Sequence, residues 1–201
     1  MTSSSDETSL ISPFFLIMQG FMGECGLRGG YFEILGIPES VKGEILKLAS
    51  ISLCSNTIGQ ITTGLMVHPP ETGEESYPKY AEERDGILAS LKRRAGRMTE
   101  ALNQLEGVTC TTIDGAMYAF PTIRLPEKAI NAAKEAGVEA DAMYCMQLLE
   151  NTGIVVVPGS GFGQKEGTHH FRTTILPPEE NMDEVIELLK SFHSNFLSRY
   201  A

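Results

Sequence analysis

Between Leu88 and Leu105, apolar side chains fall at Leu88, Leu91, Ala95, Met98, Leu102 and Leu105, in alternating steps of three and four. That spacing keeps one apolar stripe on an α-helix and predicts a long helix stopped by Gly107. A coiled-coil seam has the same period. Without systematic flanking charges, the stripe reads as one helix lying on its own domain. A second stripe, Met182, Val185, Ile186, Leu189, Phe192 and Phe196, predicts a terminal amphipathic helix. It follows Pro177 and Pro178, with Glu179 and Glu180 placed to favour the helix dipole. Two shorter helices are expected between these, from about Glu127 to Ala136 and from Asp141, read as an N-cap, to Thr152.

Strand patterns interleave with the helices. GGYFEILG is an aromatic and β-branched run ending at Gly36. VTCTT and MYAFPTIR, joined by the turn IDGA, predict an antiparallel hairpin. GIVVVPG reads as a buried strand and HHFRTTIL as another. Upstream, Pro38 suits the first turn of a helix striped by Val41, Ile45, Leu48 and Ala49. A short helix around Gly59 to Met66 precedes the turn HPPETGEE, which reads as a connection between subdomains. The apolar run ISPFFLIM fits no periodic pattern. The class is therefore α/β or α+β, a sheet covered by helices.

Composition narrows the functional classes. With 42% apolar and 21% charged residues among 201, the chain is globular rather than solvated. A net charge of −10 repels phosphate backbones and anionic membranes, so neither nucleic acid nor membrane is an expected partner. The basic cluster Lys92, Arg93, Arg94 and Arg97 reads as the solvated face of the long helix. Cys25, Cys54, Cys110 and Cys145 lack metal-type spacing, and are read as buried or incidental thiols in a reducing compartment. The N-terminus MTSSSDET is acidic where a leader would be basic.

Two arginines stand out chemically. Arg28 lies among Gly26, Gly29 and Gly30, where a guanidinium meets an anion with little obstruction. Arg172 lies on a largely apolar strand, where a charge needs a partner or an anion. The adjacent His169 and His170 point to opposite faces of that strand, so no metal site is expected. The loop PGSGFGQKEG, Pro158 to Gly167, has the glycine density of a phosphate cradle but opens no helix and lacks a GK[ST] ending. It reads as a tight connection that brings the Arg172 strand into place.

The run QGFMGECGLRGGY, residues 19–31, with VPGSGFGQKEG and RTTILP, resembles the fold type I pyridoxal-phosphate aminotransferases, in particular the alanine aminotransferase family, from Gly20 to Ala201. The resemblance implies an α/β chain corresponding to the C-terminal part of such a transferase. Residues 1–19 would be a divergent, disordered segment, 20–76 the tail of the large cofactor domain, and 77–201 the small helix-covered sheet domain. The implied reaction is amino transfer from L-alanine to 2-oxoglutarate with pyridoxal 5'-phosphate, so the implied small-molecule partners are an amino acid and a 2-oxo acid. Arg28 would hold the cofactor phosphate and Arg172 the substrate α-carboxylate.

Gln19 occupies the position of the lysine that forms the Schiff base in that family, and Leu16 and Met18 replace its small hydroxyl residues. An amide is neither nucleophile nor base here, so no catalytic residue is assigned and the chain, read as truncated, is expected to be inactive alone. The alternative is a non-catalytic protein that pairs with an intact transaminase subunit, and the resemblance implies either that pairing or a homodimer as its assembly. The cytoplasm is the expected compartment, with the mitochondrial matrix implied for full-length members.

Overall fold

The structure is a computed structural model that describes residues 14–18, 27 and 29–201, with backbone alone for 14–18, 32 and 33. The chain divides into two compact units, Met1–Arg84 and Asp85–Ala201.

In the first unit, strand β1 (Phe14–Met18) pairs antiparallel with β2 (Gly29–Glu33), from Phe14 opposite Glu33 to Met18 opposite Gly29. The sequence reading assigned no element to residues 14–18, five successive apolar residues that here pair with β2 along one edge. Helix α1 (Glu39–Ile51) has Pro38 at its N-cap position, and α2 (Thr57–Val67) is capped by the Asn56 side chain accepting from the Ile58 amide at 3.0 Å. Strand β2 lies close on α2. A Cβ at Gly29 would collide with Thr63 Oγ1 and would sit 2.5 Å from the Gly59 carbonyl, so glycine is what permits the approach. The expected stripe on α1 buries nothing: Val41 and Leu48 are exposed, as are Ile51 and Leu53 just beyond.

The second unit holds one apolar core. Helix α3 (Tyr77–Asn103) contributes Ala95, Met98, Ala101 and Leu102 to it, as the three-and-four spacing requires. The helix ends at Asn103, short of the expected stop, and Gly107 lies in the turn that follows at φ 71°, a left-handed position that suits glycine. Helix α4 (Glu127–Glu135) adds Ala129 and Ala133, and α5 (Ala140–Thr152) adds Tyr144, Cys145 and Leu148. Helix α6 (Met182–Arg199) buries Met182, Ile186, Leu189, Phe192 and Phe196, and also His193, which the stripe did not include. Asp141 is not the N-cap of α5. The helix begins one residue earlier behind Glu139, and the Asp141 side chain is buried and turned elsewhere.

The sheet is built on strand β7 (His169–Thr174). On one edge lie β4 (Tyr118–Ala119) and β5 (Thr122–Ile123), with Ala119 opposite Thr173 and Thr122 opposite His170. The segment MYAFPTIR is thus two strands rather than one. Pro121 has no amide hydrogen for a ladder, although its carbonyl still accepts from the Phe171 amide at 3.4 Å. Strand β3 (Val108–Thr109) pairs with β5, which fulfils the expected hairpin. On the other edge, GIVVVPG yields only β6 (Val157–Pro158), with Val157 opposite Arg172 and Val155 exposed. It is a short edge bridge, not a buried strand. All these pairings are antiparallel.

The arginines of the basic cluster on α3 have partners within the chain. Arg93 forks onto Glu179, Arg94 donates to the carbonyls of Leu176 and Pro177 at 3.0 Å each, and Arg97 pairs with Asp183. Lys92 and Arg93 are exposed, as the solvated-face reading expects, whereas Arg94 and Arg97 are half-buried. The helix period placed these residues on one side but did not reveal that the turn before α6 lies along it. No helix among the described residues is long and apolar enough to cross a membrane.

Candidate functional site

The site is centred on Arg172, on the strand whose two edges are both occupied. Alternation along β7 sends Phe171 into the core, where it is 1% exposed, and sends Arg172 to the opposite face. There the guanidinium lies between two rings. Its Cζ is 4.8 Å from the Tyr118 ring centroid and 4.7 Å from that of Phe162. Such stacking orients the planar group and leaves its edge donors free. Among the described residues, no hydrogen bond or ion pair reaches those donors. A partly buried cation with its fork unused and its faces covered can take up a planar oxyanion bidentately.

The walls of the slot come from different elements. Tyr118 is on β4, directly across the sheet from Thr174. Phe162 ends a 3-10 turn, Gly159–Phe162, inside the glycine-rich loop. Phe120, 44% exposed, meets Phe162 edge-on at 5.7 Å and stacks on His170 at 5.0 Å with only 3° between the planes. The loop itself is pinned to α5. Asp141, 1% exposed, accepts through Oδ2 from the Ser160 amide at 2.8 Å and from Gln164 Nε2 at 2.7 Å. Gln164 Oε1 in turn is 2.8 Å from His170 Nδ1. Gly159 makes room for this. A Cβ there would fall 2.7 Å from His170 Cβ and 2.9 Å from its carbonyl oxygen.

Of the residues singled out from sequence, Arg172 is therefore placed, while Gln19 and Arg28 lie outside the described residues, as does Cys25. The sequence reading treated the glycine-rich loop as a connection positioning the Arg172 strand, and the loop does bond to that strand through His170. It missed Tyr118, Phe162 and Asp141. Two of these are aromatics in stretches without regular periodicity. The third was read as a cap, the commonest role of an aspartate before a helix.

The profile of the family described as "Aminotransferase class I and II" matches residues 12–189. A probable mitochondrial alanine aminotransferase of Dictyostelium discoideum is 58% identical over 187 residues, covering 93% of this chain and 35% of the relative. Glutamate–glyoxylate aminotransferase 2 of Arabidopsis thaliana is 54% identical, covering 98% of this chain and 41% of the relative. The chain thus spans well under half the length of these relatives. Among solved structures, an alanine aminotransferase from Pyrococcus furiosus superposes with TM-score 0.63 at 27% identity, over 85% of this chain and 39% of the other. An Escherichia coli aminotransferase gives 0.66 at 24% identity, a likeness of fold. With the profile covering most of the sequence and the identities holding across nearly its whole length, this chain belongs to the class I and II aminotransferases.

Proposed function

We propose that this chain provides the carboxylate-binding portion of an alanine aminotransferase site, with Arg172 gripping the α-carboxylate of the amino acid or 2-oxo acid, and that the chain alone does not carry out amino transfer. The observation that carries the reading is the Arg172 guanidinium, stacked between Tyr118 and Phe162 with no anionic partner among the described residues. A planar fork held on both faces suits a carboxylate, and its charge-assisted hydrogen bonds give roughly 1.5–3 kcal/mol each. Alanine and 2-oxoglutarate are the pair this reading assigns. Glyoxylate, for which the Arabidopsis relative is named, presents the same carboxylate.

The residues present do not fit a covalently held pyridoxal phosphate. By the resemblance, Gln19 stands at the position the imine-forming lysine would take, and among the described residues the groups that cover Arg172 are the Tyr118 and Phe162 rings, neither of them an amine. In enzymes that hold it, this cofactor supplies the electron sink for carbanion chemistry. No step of this chain is routed through it. Arg28, by family resemblance, is the residue assigned to its phosphate.

Titration of the purified chain with pyruvate or L-alanine, followed at the side-chain resonances of Arg172, tests the reading. The expected result is a saturable shift that Arg172→Leu abolishes and Arg172→Lys weakens, with no alanine-dependent pyruvate formation. No shift in the wild-type chain removes the carboxylate reading; turnover by the wild-type chain removes the inactivity.

A second reading, a non-catalytic protein pairing with an intact transaminase subunit, is favoured by the first unit. Leu48, Ile51, Leu53, Ile58, Ile61 and Leu65 are 59% or more exposed, Leu53 at 92%. Apolar side chains that accumulate on one small unit mark a surface that associates. Sedimentation with and without a full-length aminotransferase distinguishes the two readings. A lone monomer at micromolar concentration that ignores the enzyme eliminates the second.

A further inference from the structure

Phe162 covers one face of Arg172, yet it is 46% exposed and stands on a loop with glycines at positions 159, 161 and 163. A half-exposed ring on so free a backbone has little burial to fix it, because ordering each residue costs about 1–2 kcal/mol. Something else must hold it.

The hydrogen bonds identify the holder. The Asp141 carboxylate, acting as acceptor, grips the loop on both sides of Phe162, at the Ser160 amide and at Gln164 Nε2. Donation from Nε2 settles which end of the Gln164 amide is which, leaving Oε1 toward His170. An amide oxygen only accepts, so the proton between Oε1 and His170 belongs to Nδ1. That fixes the imidazole plane, and Phe120 lies flat on it at 3°. Phe120 then meets Phe162 edge-on, and Phe162 faces the guanidinium. A carboxylate 1% exposed whose Oδ1 has no partner among the described residues is a costly element for a loop anchor, and apolar packing would hold a loop with less desolvation. What apolar packing could not do is dictate the imidazole's tautomer and plane.

We propose that Asp141, Gln164 and His170 are positioning residues for Arg172, acting through the ring pair Phe120 and Phe162 to hold the guanidinium fork open toward its ligand. This deepens the carboxylate reading above and rests on it. Among the described residues, no hydrogen bond joins any of the three to the Arg172 guanidinium. Their effect is on orientation, so removing them should loosen the slot while the core stays folded.

The test is side-chain NMR of the full chain. In the wild type, His170 is expected as the Nδ1–H tautomer, the rarer form in water, and the Arg172 Nε–H resonance is expected to carry a ring-current displacement. Gln164→Leu keeps the bulk but removes the bond to the imidazole. It should return His170 to the Nε2–H form, move Arg172 toward its random-coil position and weaken pyruvate binding roughly tenfold. Phe162→Leu should reduce the Arg172 displacement to what the Tyr118 ring alone gives and Phe162→Tyr should keep it whole, a rescue that a merely structural role would not require. The wild-type tautomer needs no variant, so a substitution that fails to fold leaves the test standing. An Nε2–H tautomer in the wild type, or an Arg172 resonance unmoved in folded Gln164→Leu, overturns the relay. Those two shifts decide the relay, and the pyruvate titration of the wild-type chain decides the carboxylate reading on which it rests.

Discussion

The Tyr144 hydroxyl lies 3.0 Å from Nδ1 of His193, and Nε2 of the same ring lies 2.8 Å from the Glu106 carbonyl oxygen. A carbonyl can only accept, so Nε2 carries the proton and Nδ1 accepts from the tyrosine. The neutral ring therefore satisfies both contacts inside the core. A second proton on Nδ1 would face a hydroxyl already committed as donor, and burial pulls the His193 pKa below its ordinary value despite the Glu106 carbonyl. The unfolded chain takes up its proton near pH 6.5, before the folded chain does. Stability from this group is thus fully present above about pH 6.5 and falls as pH drops from there through the folded value. Urea unfolding at stepped pH should show that slope, and His193→Gln should lack it. Tyr144→Phe leaves Nδ1 without a donor and should cost about 1–3 kcal/mol at neutral pH.

Glu179 governs the acid side. Arg93 donates to its two oxygens at 2.7 and 2.9 Å, and Ser90 donates to one of them at 2.7 Å. The hydrogen bond from Arg93, then that from Ser90, holds the carboxyl down to about 2. A lowered carboxyl pKa stabilises above the unfolded value of about 4.3 and ceases to as pH falls through the folded one. The wild-type thermal midpoint should therefore drop more steeply than that of Glu179→Gln below pH 4.3, and added salt should narrow the difference. Parallel acid limbs for the two proteins would remove the assignment.

Gly159→Ala is expected to destabilise the second unit by about 1–3 kcal/mol, the range for overpacking a filled site. The added methyl meets the His170 backbone, which is fixed in the middle of the sheet, as well as the movable end of Gln164. Gly161→Ala, with open space around its Cβ position, is the matched control. Equal denaturation midpoints for the two variants would show that the loop yields.

Thiol reactivity should separate Cys54 from Cys145. Cys54 is exposed, whereas burial, then the nearby Asp141 charge, pushes the Cys145 thiol up to about 12. Alkylation at mildly alkaline pH should label Cys54 quickly and Cys145 only on unfolding, because the thiolate is the reacting form. Mass spectrometry of peptic fragments reads both sites.

Much of this was legible in the chain. The stripes from Leu88 to Leu105 and from Met182 to Phe196 gave two helices, because burial on one face leaves a periodic trace. Arg172 was legible as a charge on an apolar strand. The strand pattern was less faithful at MYAFPTIR and GIVVVPG, where Pro121 interrupts one run and edge exposure thins the other. The partners of Arg172 left no local signal. Tyr118, Phe162 and Asp141 come from three elements, and only the folded sheet brings them near one strand. The partners of the α3 arginines were invisible for the same reason, since they lie more than eighty residues further along.

The ladder on β7 also sets how much the sequence can drift in length. Tyr118 opposite Thr174 and Ile123 opposite His169 belong to one unbroken register that passes straight across Phe120 and Pro121. There is no slack between β4 and β5. A single inserted or deleted residue there would shift one strand by a position and turn its side chains to the other face. Tyr118 would leave the guanidinium or Ile123 would leave the core. The loop at Asp114 should tolerate length changes, while the four residues from Ala119 to Thr122 should tolerate only substitution.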